Sequence, residues 1–216
     1  MLGMEQAWTV SGGAFRETER EAEEVYEVEL KFPLTDAPAV ERALGRLAAR
    51  FEPSIDQVDR YFAHPSREFA ETDEALRLRR TGDTLAITWK GPRIGRAAKT
   101  RREIELPLAA IPESIGPMPT LEAWTGLLEA LGFRLVREVE KRRRPARISW
   151  RGATVDLAWD RVAGLGDFLE LEILAGEEGI PLAVELLESL ATEIGCGPAE
   201  RKSYLELLLG KVGNAG

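Results

Sequence analysis

Residues 26–34, YEVELKFPL, alternate with a period of two: Val28 and Leu30 fall on one side, Glu27, Glu29 and Lys31 on the other. The pattern returns along the chain. Leu76 and Leu78 oppose Arg77 and Arg79; Leu85, Ile87 and Trp89 oppose Ala86, Thr88 and Lys90. Ile104 and Leu106 oppose Lys99, Arg101, Glu103 and Glu105; Leu157 and Trp159 oppose Asp156 and Asp160; Leu169 and Leu171 oppose Glu170 and Glu172. Val139, Lys141 and Arg143 share one parity, and this segment fits the alternation least well. A chain patterned this way must build a sheet with one apolar and one ionic face.

Strand candidates run over 25–32, 56–62, 75–80, 84–91, 99–107, 134–142, 145–150, 153–161 and 167–174, with turn signals in TGD, WRGA and AGLGD. Four segments carry helical periodicity instead. TDAPAVERALGRLAAR offers Thr35 or Asp36 as N-cap and Val40, Leu44, Leu47 and Ala48 as one face. PTLEAWTGLLEALGF ends at Gly132, PLAVELLESLATEIG ends at Gly195, and AERKSYLELLLG is the fourth. The fold class is therefore α+β with hairpin-connected antiparallel strands. Residues 1–24 are expected to be a disordered or loosely helical extension, 25–210 the domain and 211–216 a tail.

An ionic strand face can simply meet water. Two features favour an enclosed lumen: the polar slots hold almost only Arg, Lys, Glu and Asp, and carboxylates dominate the outer strands while cations dominate the middle. About eight strands closed on themselves leave room for one small ligand. Charges paired only with each other would be costly to bury; a wet tunnel binding a polyanion and divalent cations removes that difficulty.

A net charge of −8 argues against nucleic acid as a partner. No apolar run suits a membrane span, no signal-peptide pattern is present, and one cysteine (Cys196) and one histidine (His64) exclude a disulfide framework and a histidine-rich metal centre. A cytoplasmic setting is expected. Cys196 should be inert, His64 an exposed loop residue, and Trp89, Trp124 and Trp159 core fillers. KRRRPAR has the look of a nucleic-acid patch, but strand-borne phosphate ligands suit its setting better.

EVELK (Glu27, Glu29, Lys31) resembles the ExExK signature of the CYTH superfamily, the triphosphate tunnel metalloenzymes. VDRYF (58–62), LRLR (76–79), ITWKGP (87–92), KTRREIE (99–105), EKRR (140–143), DRVAGLGDFLELE (160–172) and KSYLELLL (202–209) follow in the family's order. Within the superfamily, LGDFLELE followed by SYLELL most resembles class IV adenylyl cyclases. The resemblance implies a closed, eight-stranded antiparallel β-tunnel with helices packed outside, a small-molecule triphosphate substrate and Mg²⁺ or Mn²⁺.

A triphosphate carries about four negative charges, and its chemistry is mainly positioning and neutralisation. Arg77 and Arg79 can fork onto phosphate oxygens; Lys31, Lys90, Arg101 and Arg143 would add charge, with Lys99, Lys141 and Lys202 as further candidates. Lys31, Arg77, Arg79 and Lys90 are the group expected at the reacting phosphates. Glu27, Glu29, Glu170 and Glu172, with Asp160, offer hard oxygen ligands for the cation. The leading expectation is conversion of ATP to cyclic AMP and pyrophosphate. Thiamine triphosphate or tripolyphosphate hydrolysis is the alternative, and a non-catalytic polyphosphate- or nucleotide-binding module the third. Assembly is open, with a homodimer as one option.

Overall fold

Each alternating segment forms a strand. The structure is a computed structural model describing residues 25–93, 99–108 and 119–213; the expected N-terminal extension lies outside these. The strands are β1 (Val25–Pro33), β2 (Arg50–Phe51), β3 (Ile55–Ala63), β4 (Ala75–Thr81), β5 (Thr84–Lys90), β6 (Lys99–Arg101), β7 (Glu103–Leu108), β8 (Arg134–Trp150), β9 (Ala153–Val162) and β10 (Gly166–Gly176). All pairings are antiparallel, in the order β6-β1-β10-β9-β8-β3-β4-β5-β7, with β2 beside β8.

The two ends of that order, β6 and β7, are joined by Arg102 alone. Its first half pairs with β1 (Glu27 opposite Arg101) and its second with β5 (Lys90 opposite Glu103). The sheet thus closes through one bent strand shared between its edges, giving eight strand positions around a tunnel.

The apolar faces lie outside. Asp36 caps α1 (Ala37–Arg46), its carboxylate accepting from the Ala39 N–H at 3.1 Å, and Val40, Ala43 and Leu44 bury. They meet Ala183, Leu187, Leu190 and Ala191 of α4 (Ile180–Glu193), both helices covering Val28, Leu30, Leu157, Trp159, Leu169 and Leu171. Ala48, expected on the apolar stripe, instead lies past the helix end at φ +58° and is exposed. Over the other side, α3 (Leu121–Ala130) and the single turn α2 (Phe69–Thr72) cover Phe62, Leu76, Leu78 and Leu85. Leu187 is fully buried between helix and sheet. Leu187→Ala should cost about 2–5 kcal/mol by denaturant titration without changing ligand affinity.

β8 is one strand where two were expected. Pro145 interrupts the pattern but not the strand, because the ladder to β3 ends at Arg143 and that to β2 begins at Ala146. Its carbonyl accepts from the Glu52 N–H at 2.8 Å, so the missing N–H faces the gap between β3 and β2. The β8–β9 turn places Arg151 at φ +48° and Gly152 at φ +88°, the type I′ geometry that favours glycine.

α5 (Tyr204–Gly213) does something different. Tyr204 and Leu208 pack on Val139, Val162 and Phe168, which share parity with the ionic residues and so face inward. One end of the tunnel is therefore partly filled by this helix. His64 is half-buried against Phe69 and Phe133, with ring centroids 5.5 and 5.2 Å away, where an exposed residue was expected. Among the described residues no helix is long and apolar enough to cross a membrane.

Candidate functional site

The inward faces enclose a cavity of about 890 Å³. Glu27, Glu29 and Lys31 reach it from β1, Arg77 and Arg79 from β4, Lys90 from β5, Arg101 from β6, Lys141 and Arg143 from β8, and Glu170 and Glu172 from β10. Eleven of the fourteen side chains singled out from sequence therefore share one space. Lys99 pairs with Glu29 through the backbone, and its side chain lies outside the described residues. Lys202 is exposed and does not line the cavity; its backbone carbonyl accepts from Lys31. Asp160 is buried behind the wall, with 0% of its surface exposed.

The cations are held by carboxylates on neighbouring strands. Asp59, 1% exposed, accepts from Arg79 Nε and Nη2 at 2.6 and 2.7 Å and lies 3.7 Å from Arg77. Glu103 binds Lys90 and approaches Arg101 at 3.6 Å; Glu27 stands 3.7 Å from Lys90. Asp160 accepts from Lys141 Nζ at 2.8 Å, Arg143 Nε at 2.7 Å and the Tyr204 hydroxyl at 3.1 Å, while Arg143 also binds Glu170. Arg77 donates to Thr88 (3.2 Å) and Glu105 (3.4 Å), yet its buried Nε–H finds no acceptor among the described residues. Lys31, 1% exposed, lies 4.1 Å from the Tyr204 ring centre and so ties β1 to α5.

Ionisation follows from these contacts. Burial would raise the Asp59 carboxyl, but Arg77 and Arg79 outweigh it and hold it well below the carboxylate range. Burial pushes Glu172 up to about 8, helped by repulsion from Glu27, Glu29 and Glu170. Burial also raises Glu27, with Lys90 opposing and Glu103 adding. Burial, with Arg143 nearby, lowers Lys141 to about 8 against the pull of Asp160 and Glu170. The Glu172 cluster is thus short of positive charge. Among the described residues no three carboxylates form a ready-made cage, so a divalent cation here would share them with ligand oxygens and water, as Mg²⁺ does.

The sign of the pH effect is set by Glu172. A carboxylate whose folded pKa is raised favours the fold below its unfolded value and loses that contribution as pH rises through about 8. Metal-free protein should therefore melt at lower temperature as pH goes from 5 to 8, and Glu172→Gln should flatten the slope. A slope unchanged in the variant would remove Glu172 as its cause.

Several participants were not singled out from sequence. Glu103 and Glu105 were visible in the alternation, and Asp59 and Tyr61 lie in VDRYF; their parity with Arg101 and with each other was the available signal. Tyr204 lies in KSYLELLL, but nothing local says that α5 enters the lumen. Within KRRRPAR Lys141 and Arg143 turn inward; Arg142 pairs with Asp56 (2.8 Å) and Arg144 with Glu41 (3.0 Å) outside. Asp156 pairs with Arg147 at 2.6 Å in solvent, and burial pushes the Cys196 thiol up to about 12.

The profile of the CYTH domain matches residues 25–204. A Methanocaldococcus jannaschii protein with a provisional adenylate cyclase name is 35% identical over 84% of this chain and 97% of its own length. Adenylate cyclase CyaB of Aeromonas hydrophila is 30% identical over 84% of this chain and 88% of its own. The solved PH1819 protein of Pyrococcus horikoshii superposes with a TM-score of 0.72 at 37% identity, covering 86% of this chain and 99% of that one.

Proposed function

This chain belongs to the CYTH domain family, and on that footing we propose that its tunnel takes a triphosphate with Mg²⁺ or Mn²⁺ and converts ATP to cyclic AMP and pyrophosphate. The observation that carries this reading is the charge inventory of the cavity. Nine cationic and eleven anionic side chains line it among the described residues. A substrate bringing about four more negative charges would be repelled from that space unless divalent cations entered with it.

Glu27, Glu29, Glu170 and Glu172 would hold the cation, which when bound neutralises phosphate charge and makes the attacked phosphorus more electrophilic. Arg77 and Arg79 present forks that Asp59 holds in place before substrate arrives. Glu103 orients Lys90 and Arg101, and Asp160 orients Lys141 and Arg143. Asp160 is better suited to that positioning role than to metal ligation, because its oxygens are already occupied by three donors. Lys31 is supported least as a phosphate ligand, given its place under Tyr204. In the cyclase reaction the ribose 3′-oxygen bonds to the α-phosphorus, pyrophosphate leaves and the hydroxyl proton departs.

The CYTH family also holds triphosphatases, so one assay separates the outcomes. Purified protein with Mg²⁺ or Mn²⁺ is offered ATP, thiamine triphosphate and tripolyphosphate, and products are identified. Cyclic AMP with pyrophosphate is the expected result. Orthophosphate would replace the cyclase reading with the hydrolase one, and binding without turnover would leave a non-catalytic receptor.

A further inference from the structure

Arg93 has none of the roles described above, yet every nitrogen of its side chain is engaged. It follows the ITWKGP segment directly and lines the cavity together with Asp73, Ser203 and Glu206. Its backbone N–H, Nε and Nη2 all donate to the Asp73 carboxylate, at 3.1, 2.7 and 2.6 Å. Nη1 donates to the Arg201 carbonyl at 3.1 Å, and Nη2 also reaches Glu206 at 3.4 Å. Asp73 closes α2. One planar guanidinium thus joins the end of α2, the connection after β5 and the start of α5.

Glu206 has a second task. Its carboxylate accepts from the Ser203 N–H at 2.6 Å, while its own N–H donates to the Ser203 hydroxyl at 3.1 Å, a reciprocal cap on α5. Arg93 therefore grips the first turn of that helix. The same turn carries Tyr204, whose hydroxyl donates to Asp160 and whose ring centre lies 4.1 Å from the Lys31 ammonium and 5.2 Å from that of Lys141. The buried apolar partners of α5, Val139, Val162 and Phe168, belong to β8, β9 and β10. Asp73 and Arg93 flank β4 and β5, so their contact ties the helix to another part of the wall.

We propose that Arg93 is a positioning residue: by fixing the first turn of α5 it keeps Tyr204 against Asp160, Lys31 and Lys141, and so keeps that cationic wall arranged for ligand. The proposal rests on the triphosphate reading above. Without this tie, α5 leaves its seat for part of the time, and ligand meets the competent arrangement only in the seated fraction. Apparent affinity then falls by that fraction while the rate at saturation is kept. An arginine that bound phosphate itself would behave differently, because loss of Glu206 would release it toward the ligand.

Wild type, Arg93→Gln, Glu206→Gln and the double variant are compared by steady-state kinetics on ATP, thiamine triphosphate and tripolyphosphate with Mg²⁺, and by amide hydrogen exchange without ligand. Glutamine at 206 keeps the helix cap and removes only the charge facing Arg93, so this variant tests the contact even where Arg93→Gln does not fold; melting curves report folding. Each single variant should raise KM by about three- to tenfold with kcat within about twofold, and the double variant should be no worse than the weaker single one. Amides of α5 should exchange faster in all three, with those of β1 and β8 unchanged. A higher KM in Arg93→Gln beside an unchanged or lower one in Glu206→Gln would make Arg93 a phosphate ligand and overturn the proposal. So would additive losses, or α5 exchange equal to wild type. Absence of turnover by wild type on all three substrates would overturn the triphosphate reading instead, and α5 exchange would still decide whether Arg93 holds the helix.

Discussion

Arg77→Lys is expected to lower kcat/KM for the triphosphate by about 10²–10³-fold, the scale for losing one preorganised donor group, with little loss of folded protein. Arg77 is buried, and although burial opposes its charge, Asp59 and Tyr61 outweigh that and raise its pKa further. Nη2 is engaged by Thr88 and Glu105, whereas Nε–H has no acceptor among the described residues. Lysine keeps the charge beside Asp59 but replaces a planar fork with a point, so phosphate geometry suffers more than stability. Steady-state kinetics and a melting curve on the same preparation check this. Activity within threefold of wild type would make Arg77 a structural residue.

Glu29→Gln is expected to reduce metal-dependent turnover at least about a hundredfold and to raise the Mg²⁺ concentration needed for half-maximal rate. Glu29 sits directly opposite Glu172 in the β1–β10 register, and its charge helps push Glu172 up to about 8. Neutralising it relieves repulsion in the metal-free protein, so stability should rise slightly at pH 8 while catalysis collapses. Glu170→Gln should lose turnover as well but with lower stability, because Arg143 gives up one of its two carboxylate partners. Full activity in both variants would refute the carboxylates as cation ligands.

Most of the tunnel was legible because parity is a local property. Glu27, Arg77, Arg101, Arg143 and Glu170 could be placed on one face from spacing alone, and the ladder pairs confirm that they share it. What spacing does not carry is contact between strands far apart in sequence. Closure depends on β6 and β7 pairing with different neighbours on either side of Arg102, and nothing in KTRREIEL marks that division. The same limit explains Asp160: its parity matched the cavity, but three donors from β8 and α5 occupy it. Lys202 matched a motif position, yet the chain there presents its carbonyl inward and its ammonium to solvent. Val139, in the segment that fits the alternation least well, and Phe168 occupy ionic-face positions because the helix they receive, α5, lies 36 or more residues further along.

The most direct test is a crystal structure with Mn²⁺ and a non-reactive ATP analogue, with the metal located by its anomalous scattering. The account predicts manganese between the phosphate oxygens and carboxylates from Glu27, Glu29, Glu170 or Glu172, with the phosphates against Arg77 and Arg79 inside the closed sheet. Nucleotide bound on the outer surface, or a lumen in which those arginines keep only their protein partners at saturating analogue, would contradict it.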